Sequence, residues 1–239
     1  MLVVTLAVLC IQTVHAAENL YEKNYRAQNS GDLKSLQVYP ETEMYVSNHF
    51  DEDNISMLEN GYDMMGSSGF EAGSITPDMA LVHAKSLKAD VVLVYSKYAS
   101  KKSPLSTLQT IKEAAKTTGE IDPEVLKEDD AQYKYYASYW AKLPMPLLGL
   151  HVIKLRHKSN ESDVVVTNEG LKVLAVIKDS PAYKAGFLRG DILLKMGDID
   201  LEAPAMLSKA VGKYQGKKVK ISYKRNEVVS VAHATLNSR

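Results

Sequence analysis

One stretch of the C-terminal half constrains the fold more than any other part of the chain. Residues 170–177 are predominantly apolar and predict a buried strand. Ser180 follows as a helix-capping residue, and Pro181 takes the first helical position, where its missing N–H costs nothing. Gly186 then ends the helix after about one turn, and Gly190-Asp191 supplies a tight turn into an apolar strand. The stretch therefore predicts a strand, a short helix and a second strand in close succession.

Elements that flank this stretch complete a recognisable series. A strand begins at Leu148, and a hairpin turn falls at Gly197-Asp198. A helix over 203–211 stops at Gly212, and Val219–Tyr223 predicts a final strand. From about 147 to 236 the series resembles the PDZ domain of the bacterial HtrA-type proteases. The resemblance implies a PDZ-like β-sandwich or barrel with two helices.

The same resemblance implies a peptide-binding site. By position Leu148, Gly149 and Leu150 match the loop that receives a peptide carboxylate, where a glycine lets backbone amides turn toward an anion. Leu150 and Val152 alternate along the strand expected to pair with the ligand by β-augmentation. Leu207 and Val211, four residues apart, place one apolar helix face across the groove. The alternative is that these apolar residues are ordinary core.

The preceding half predicts a separate α+β unit. Apolar patterning resumes after the polar N-terminal region, and two prolines around Met145 cannot continue a central strand, so they mark a boundary. The predicted strands are 36–47, 62–71, 91–95 and 133–143, and the predicted helices are 51–59, one beginning at Thr76-Pro77-Asp78, and 105–116. We therefore expect an α+β domain at 36–143 and the PDZ-like domain at 144–239.

The N-terminus predicts export. Residues 2–14 carry no charge, and they are followed by small residues that favour signal-peptidase cleavage after Ala16. The run is shorter than the roughly 20 apolar residues of a membrane-spanning helix. We expect a signal peptide at 1–16, a flexible leader at 17–35 and a location in the periplasm of a Gram-negative bacterium. Membrane association would require an uncleaved N-terminus or a lipid on Cys10, the only cysteine.

The net charge of zero conceals an asymmetry. Before Pro144 the chain has 13 basic and 20 acidic residues, and from Pro144 onward it has 16 basic and 9 acidic residues. Opposite charges predict attraction between the domains, in a closed form whose groove is shielded. There is no base-reading motif, so a nucleic-acid partner is not expected.

Catalytic motifs are missing from the sequence. Gly66-Ser67-Ser68-Gly69 resembles a nucleophile loop only superficially and is interpreted as a bend in a strand. His49 and His83 are the histidines of the first domain, and a solvated acidic surface is a better interpretation of their surroundings than a metal site. There is no His-Glu-x-x-His, Asp-Thr-Gly or phosphate-binding glycine run. We predict no catalytic residue, no metal and no cofactor.

These observations favour an exported, non-catalytic adaptor that captures C-terminal or extended peptide segments of another protein. One alternative is an envelope secretion-system or assembly component, similar in layout to type II secretion proteins in which a small periplasmic domain precedes a PDZ domain. Weaker alternatives are a regulatory subunit associated with a protease and an enzyme carried by the first domain.

Overall fold

A computed structural model describes residues 18–28, 33–99, 104–117, 132–158, 165–167 and 170–238. The predicted signal peptide and Cys10 lie outside the described residues. The fold is α+β, as the sequence predicts, with one main sheet in each half of the chain. Within the described ranges, no helix is long and apolar enough to cross a membrane.

The first domain contains a five-stranded sheet. Its elements are α1 (Leu20–Lys23), β1 (Tyr25–Ala27), β2 (Glu43–Val46), α2 (Phe50–Glu59), β3 (Tyr62–Ala72), α3 (Asp78–Leu87), β4 (Val91–Tyr98), α4 (Pro104–Thr117) and β5 (Tyr133–Lys142). The strand order is β1-β3-β5-β4-β2, and only the β2–β4 pair is parallel.

The central strand β5 is covered on both faces. Tyr139 packs toward the cluster that includes residues of α1 and α3, whereas Trp140 packs toward Met57 and Leu58 of α2. Both aromatic side chains are almost completely buried. Alternate residues of β5 therefore bury opposite faces, which explains why apolar and aromatic residues occur on both faces of this strand.

The segment predicted as a flexible leader differs from that prediction where the structure describes it. Asn19 caps α1, because its side chain accepts hydrogen bonds from the backbone N–H groups of Tyr21 and Glu22. Tyr21 is fully buried and lies edge-on to Phe70, with 4.9 Å between ring centroids. β1 then pairs with β3. This polar segment is ordered by one buried ring, that of Tyr21, and by the pairing of β1 with β3. Neither interaction requires a periodic apolar pattern, so the sequence does not predict that the segment is ordered.

Ser68 in the Gly-Ser-Ser-Gly passage lies inside β3 and is completely buried. Its Oγ donates to the Tyr21 carbonyl at 2.6 Å and lies 3.2 Å from Tyr139 Oη. A Cβ at Gly66 would collide with the Arg26 carbonyl, so glycine permits the close approach of β1. The passage is thus a structural part of the sheet, with an irregularity between Met64 and Gly66.

The second domain has a sheet of order β13-β12-β10-β9-β6, with β11 paired to β10. Its elements are β6 (Leu150–Ile153), β7 (Arg156–Lys158), β8 (Val165–Thr167), β9 (Leu171–Val176), α5 (Pro181–Lys184), β10 (Ile192–Met196), β11 (Ile199–Asp200), α6 (Pro204–Lys213), β12 (Lys218–Arg225) and β13 (Val228–Thr235). β7 and β8 form a separate pair. The predicted final strand is thus followed by a further one, through a turn in which Asn226 and Glu227 both have positive φ, as a two-residue hairpin requires.

Asp191 holds the tight turn that the sequence predicts between α5 and β10. Its carboxylate accepts hydrogen bonds from Arg225 Nε at 2.6 Å and from the Leu188 N–H at 2.9 Å. The Asp191 side chain is 1% exposed, so its carboxylate is shielded from water. Removing one partner would leave a buried charge, which makes the pair structurally important.

The burial of His83 in α3 leads us to expect that the stability of the first domain depends on pH. Its ring lies edge-on to Tyr25 and Tyr139, and its Nε2 has no partner among the described residues. Burial lowers its pKa, and the charge of Glu22 opposes that shift only in part. The unfolded chain therefore binds a proton more readily, and the free energy of unfolding should fall as pH drops below about 6.5, by at most ~1.4 kcal/mol per pH unit.

Chemical denaturation between pH 7.5 and 5 checks this. His83→Leu should reduce the pH dependence of the free energy of unfolding, in comparison with the control His49→Leu at an exposed position. An identical pH slope in the wild type and His83→Leu would contradict the assignment.

Candidate functional site

The edge strand β6 is the starting point of the site. Among the described strands it pairs only with β9, so its other edge is open to a further strand. An unpaired edge presents backbone N–H and C=O groups that another extended chain can use. The helix α6 belongs to the same hydrophobic cluster as Leu150 and Val152 of β6, and it lies beside this edge.

The loop before β6 turns its amides away from the core. The Leu148 carbonyl accepts a hydrogen bond from the Ala182 N–H at 2.8 Å, and the Gly149 carbonyl accepts one from the Ile177 N–H at 3.0 Å. In a trans peptide group the N–H points opposite to the C=O. The N–H groups of Gly149 and Leu150 therefore point to the open side of the loop. Two successive amides of this kind can bind an anion.

Gly149 is required by the packing of this loop. Its φ is +88°, and a Cβ there would overlap the side chain of Ser180. Ser180 is itself completely buried and caps α5 by accepting a hydrogen bond from the Tyr183 N–H at 3.2 Å. The glycine thus lets the loop lie directly against the start of α5.

A cavity of about 740 Å³ lies next to the loop and α6. It is lined by five of the six residues predicted for the site: Leu148, Gly149, Leu150, Leu207 and Val211. Val152, the sixth, packs against the core and does not line this cavity. The structure therefore brings the loop and one face of α6 together around one cavity.

The core and groove interpretations of these apolar residues are compatible. Leu148 and Leu207 are 3% and 7% exposed and belong to the core cluster, yet both border the cavity. Leu150 and Val211 are half-buried and pack against the same cluster. One layer of side chains therefore closes the core and forms the cavity floor.

Sequence reasoning missed several residues of the cavity wall. Ser208 and Gly212, four residues apart, lie next to the predicted pair on α6, and this spacing could have identified them, whereas Gln215 follows the end of the helix. Asn60, Gly61, Tyr62 and Lys142 belong to the first domain. No local pattern connects these four residues to a groove in the other domain.

His151 also lines the cavity. Its Nε2 is buried and has no hydrogen-bond partner among the described residues. Burial lowers its pKa, and the charge of Asp63 in the first domain opposes the shift. His151 is therefore favoured in its neutral form. The described residues contain no group of three or more His, Cys, Asp or Glu side chains that could hold a metal ion.

Comparison with known families decides what the second domain is. Residues 146–236 match the family described as "PDZ domain". This segment is a PDZ domain. The match leaves residues 1–145 unassigned, and comparison with curated proteins finds no significant match for the chain.

Solved structures similar to the chain include several PDZ-containing proteins. The HtrA-type protease AlgW with a decapeptide is 25% identical with a TM-score of 0.34, covering 40% of this chain and 30% of that one. The HtrA3 PDZ domain bound to a phage-derived ligand, FGRWV, is 20% identical with a TM-score of 0.32, covering 38% and 85%. A serine endoprotease from Yersinia pestis is 21% identical with a TM-score of 0.31, covering 40% and 29%. The chain thus spans about a third or less of the two proteases.

The packing at Gly149 predicts an unusually large cost for adding a methyl group. Gly149→Ala combines a left-handed backbone with steric overlap against Ser180, whereas Gly186→Ala has a similar φ of +80° and open space around the new Cβ. The left-handed conformation alone costs about 1–2 kcal/mol, and overpacking adds about 1–3 kcal/mol. We expect Gly149→Ala to lose that additional amount relative to Gly186→Ala in urea denaturation. Equal losses would contradict the close packing of the loop on α5.

Proposed function

We propose that this protein is an exported, non-catalytic adaptor that captures a C-terminal or extended peptide segment of another protein. The observation that carries the proposal is the open edge of β6, which lies in a PDZ domain beside the loop that matches the family's carboxylate-binding loop. The peptide would add a strand to β6 by β-augmentation, and α6 would cover its side chains.

Three features of the groove support this mode of binding. The β6 edge offers main-chain hydrogen bonds, the Gly149 and Leu150 amides offer an anion site, and the cavity offers an apolar pocket bordered by Leu207 and Val211. Main-chain pairing gives affinity that depends little on sequence, whereas the pocket selects one side chain. An apolar residue at the carboxyl end of the ligand fits this pocket.

The proposal that the protein is non-catalytic is supported by the burial of two side chains of the first domain, Ser68 and His83. Ser68, in the passage closest to a nucleophile motif, is buried and hydrogen-bonded within the sheet. His83 is buried beside aromatic rings, and an acid–base role would require access to a substrate. We propose that this domain positions the groove.

Ser208 offers a direct test of the groove. It is an exposed residue of α6 that lines the cavity, whereas its neighbour Lys209 is exposed and lies outside the lining. Ser208→Trp should fill the groove and reduce affinity at least tenfold for peptides selected from a random heptapeptide library with free C-termini. Lys209→Trp should bind them as the wild type does.

Fluorescence anisotropy with the selected peptides measures both variants, and circular dichroism checks that both are folded. Wild-type affinity in a folded Ser208→Trp variant would place peptide binding elsewhere. If the library yields no binder to the wild type, peptide capture by this groove is itself refuted.

Export is a separate part of the proposal and rests on the uncharged residues 2–14 followed by Val14-His15-Ala16. Expression of the chain with a C-terminal tag in a Gram-negative host should yield a periplasmic product that begins at Ala17. N-terminal sequencing and mass spectrometry would identify it. An unprocessed cytoplasmic product would contradict export, and a lipid-modified Cys10 would show a membrane-attached form instead.

A further inference from the structure

The second edge of the PDZ sheet is formed by β13, which has the features of a strand that accepts a further strand. Among the described strands β13 pairs only with β12, in eight consecutive residue pairs without a register shift. It contains no Lys, Arg, Asp, Glu or Pro. The other edge strands of the two main sheets, β1, β2 and β6, have three, four and four residues. Length, regularity and lack of charge therefore distinguish β13 from these edges.

The turn between β12 and β13 decides which backbone groups face the open edge. In a two-residue hairpin the flanking residues, here Arg225 and Val228, form a hydrogen-bonded pair. Such pairs alternate with non-bonded pairs along an antiparallel ladder. The Leu236 N–H donates to the Lys217 carbonyl at 3.1 Å, in agreement with this alternation. The intervening residues therefore direct their N–H and C=O groups outward: Val229, Val231, His233 and Thr235.

These four outward-facing residues have no backbone hydrogen-bond partner in the part of the chain that the structure describes. The next residue of the series, Asn237, donates from its N–H to the Leu147 carbonyl at 3.0 Å, and the open stretch ends there. The side chains of all four residues are exposed on the outer face of the sheet. The residues between them have small side chains, Ser230, Ala232 and Ala234. The edge therefore combines available backbone groups with side chains that permit close approach.

The charges around this edge favour a second copy of the chain as the partner. On the outer face the nearest lysines belong to β12, so the width of β13 separates them from the open edge: Lys218, Lys220 and Lys224. An acidic segment on the edge would lie beside uncharged side chains rather than beside these lysines. When two β13 edges pair, the two lysine rows are three strand spacings apart, about 14 Å, which exceeds the screening length of about 8 Å at physiological salt. Charge repulsion therefore does not oppose pairing between copies.

We propose that two copies of the protein associate by antiparallel pairing of their β13 strands, with Val229 opposite Thr235 and Val231 opposite His233 of the second copy. In this register all four outward-facing residues form hydrogen-bonded pairs, about eight bonds in all. The two-fold axis passes between the Ala232 residues, so both copies use the same surface. Both β6 edges stay free at the two ends of the joined sheet. The association does not depend on the proposed peptide capture.

Disulfide cross-linking tests the register. Cys10 is the only cysteine, so Cys10→Ser in the full chain leaves an introduced thiol without competitors. Ala232→Cys places two thiols across the axis, where the Cα separation of a non-bonded pair is about 4.5 Å and permits a disulfide. The control Ser230→Cys lies on the same strand and face, but its two copies would be about 14 Å apart. Mild oxidation should give at least tenfold more linked dimer with Ala232→Cys.

Sedimentation velocity over a concentration series measures the association itself. The wild type should change from monomer to dimer as the concentration rises. Val231→Lys should raise the dimer dissociation constant at least tenfold, because the two added charges would lie about 7–8 Å apart on the diagonal across the paired edges. Val82→Lys is the control, since Val82 is an exposed valine on α3 in the first domain, and it should dimerise as the wild type does. Circular dichroism checks that each variant is folded.

Each measurement has a result that would overturn the proposal. A wild type that stays monomeric up to about 1 mM would refute self-pairing. In that case, binding of a peptide rich in Asp and Glu that Val231→Pro abolishes would assign the edge to another protein, because proline removes an outward N–H. An equal dissociation constant in the wild type and Val231→Lys would place the dimer contact elsewhere. Equal cross-linking of Ala232→Cys and Ser230→Cys would contradict pairing about Ala232.

Discussion

The groove depends on the way in which the loop before β6 is fastened to the body of the PDZ domain. Two carbonyl groups, of Leu148 and Gly149, are tied to α5 and to the residue after β9. Because peptide groups are planar, fixing these carbonyls also fixes the outward direction of the next two amides. Gly149 makes the arrangement possible by allowing contact with Ser180. The open edge of β6 and the apolar face of α6 acquire a binding geometry only because this loop is held in place.

The predicted attraction between the oppositely charged halves does not take the form of ion pairs in the described part of the chain. All ion pairs among the described residues join partners in the same domain. Lys178 of the PDZ domain donates hydrogen bonds to the Glu59 carbonyl and to the Asn60 side chain, and the charge of Asp63 in the first domain acts on the pKa of His151. Among the described residues, these hydrogen bonds between the domains therefore end on uncharged acceptors.

Local sequence signals predicted the parts of the structure that have local causes. The capping residue Ser180, the stop at Gly186 and the turn at Gly190-Asp191 each depend on a few neighbouring residues, and the structure contains α5 and β10 accordingly. The order of α1 and β1 depends on Tyr21 entering a distant core, and the cavity wall at Asn60 depends on domain contact. Neither cause leaves a periodic pattern, so neither feature could be predicted from the residues alone.

Backbone amide exchange measured with and without a bound peptide tests the central claim, that the ligand pairs with β6. The PDZ sheet has two edges, β6 and β13, so the experiment has an internal comparison. The account predicts that peptide addition slows exchange at the amides of Gly149 and Leu150 and leaves β13 unchanged. Protection at β13 with no change at Gly149 and Leu150 would contradict it.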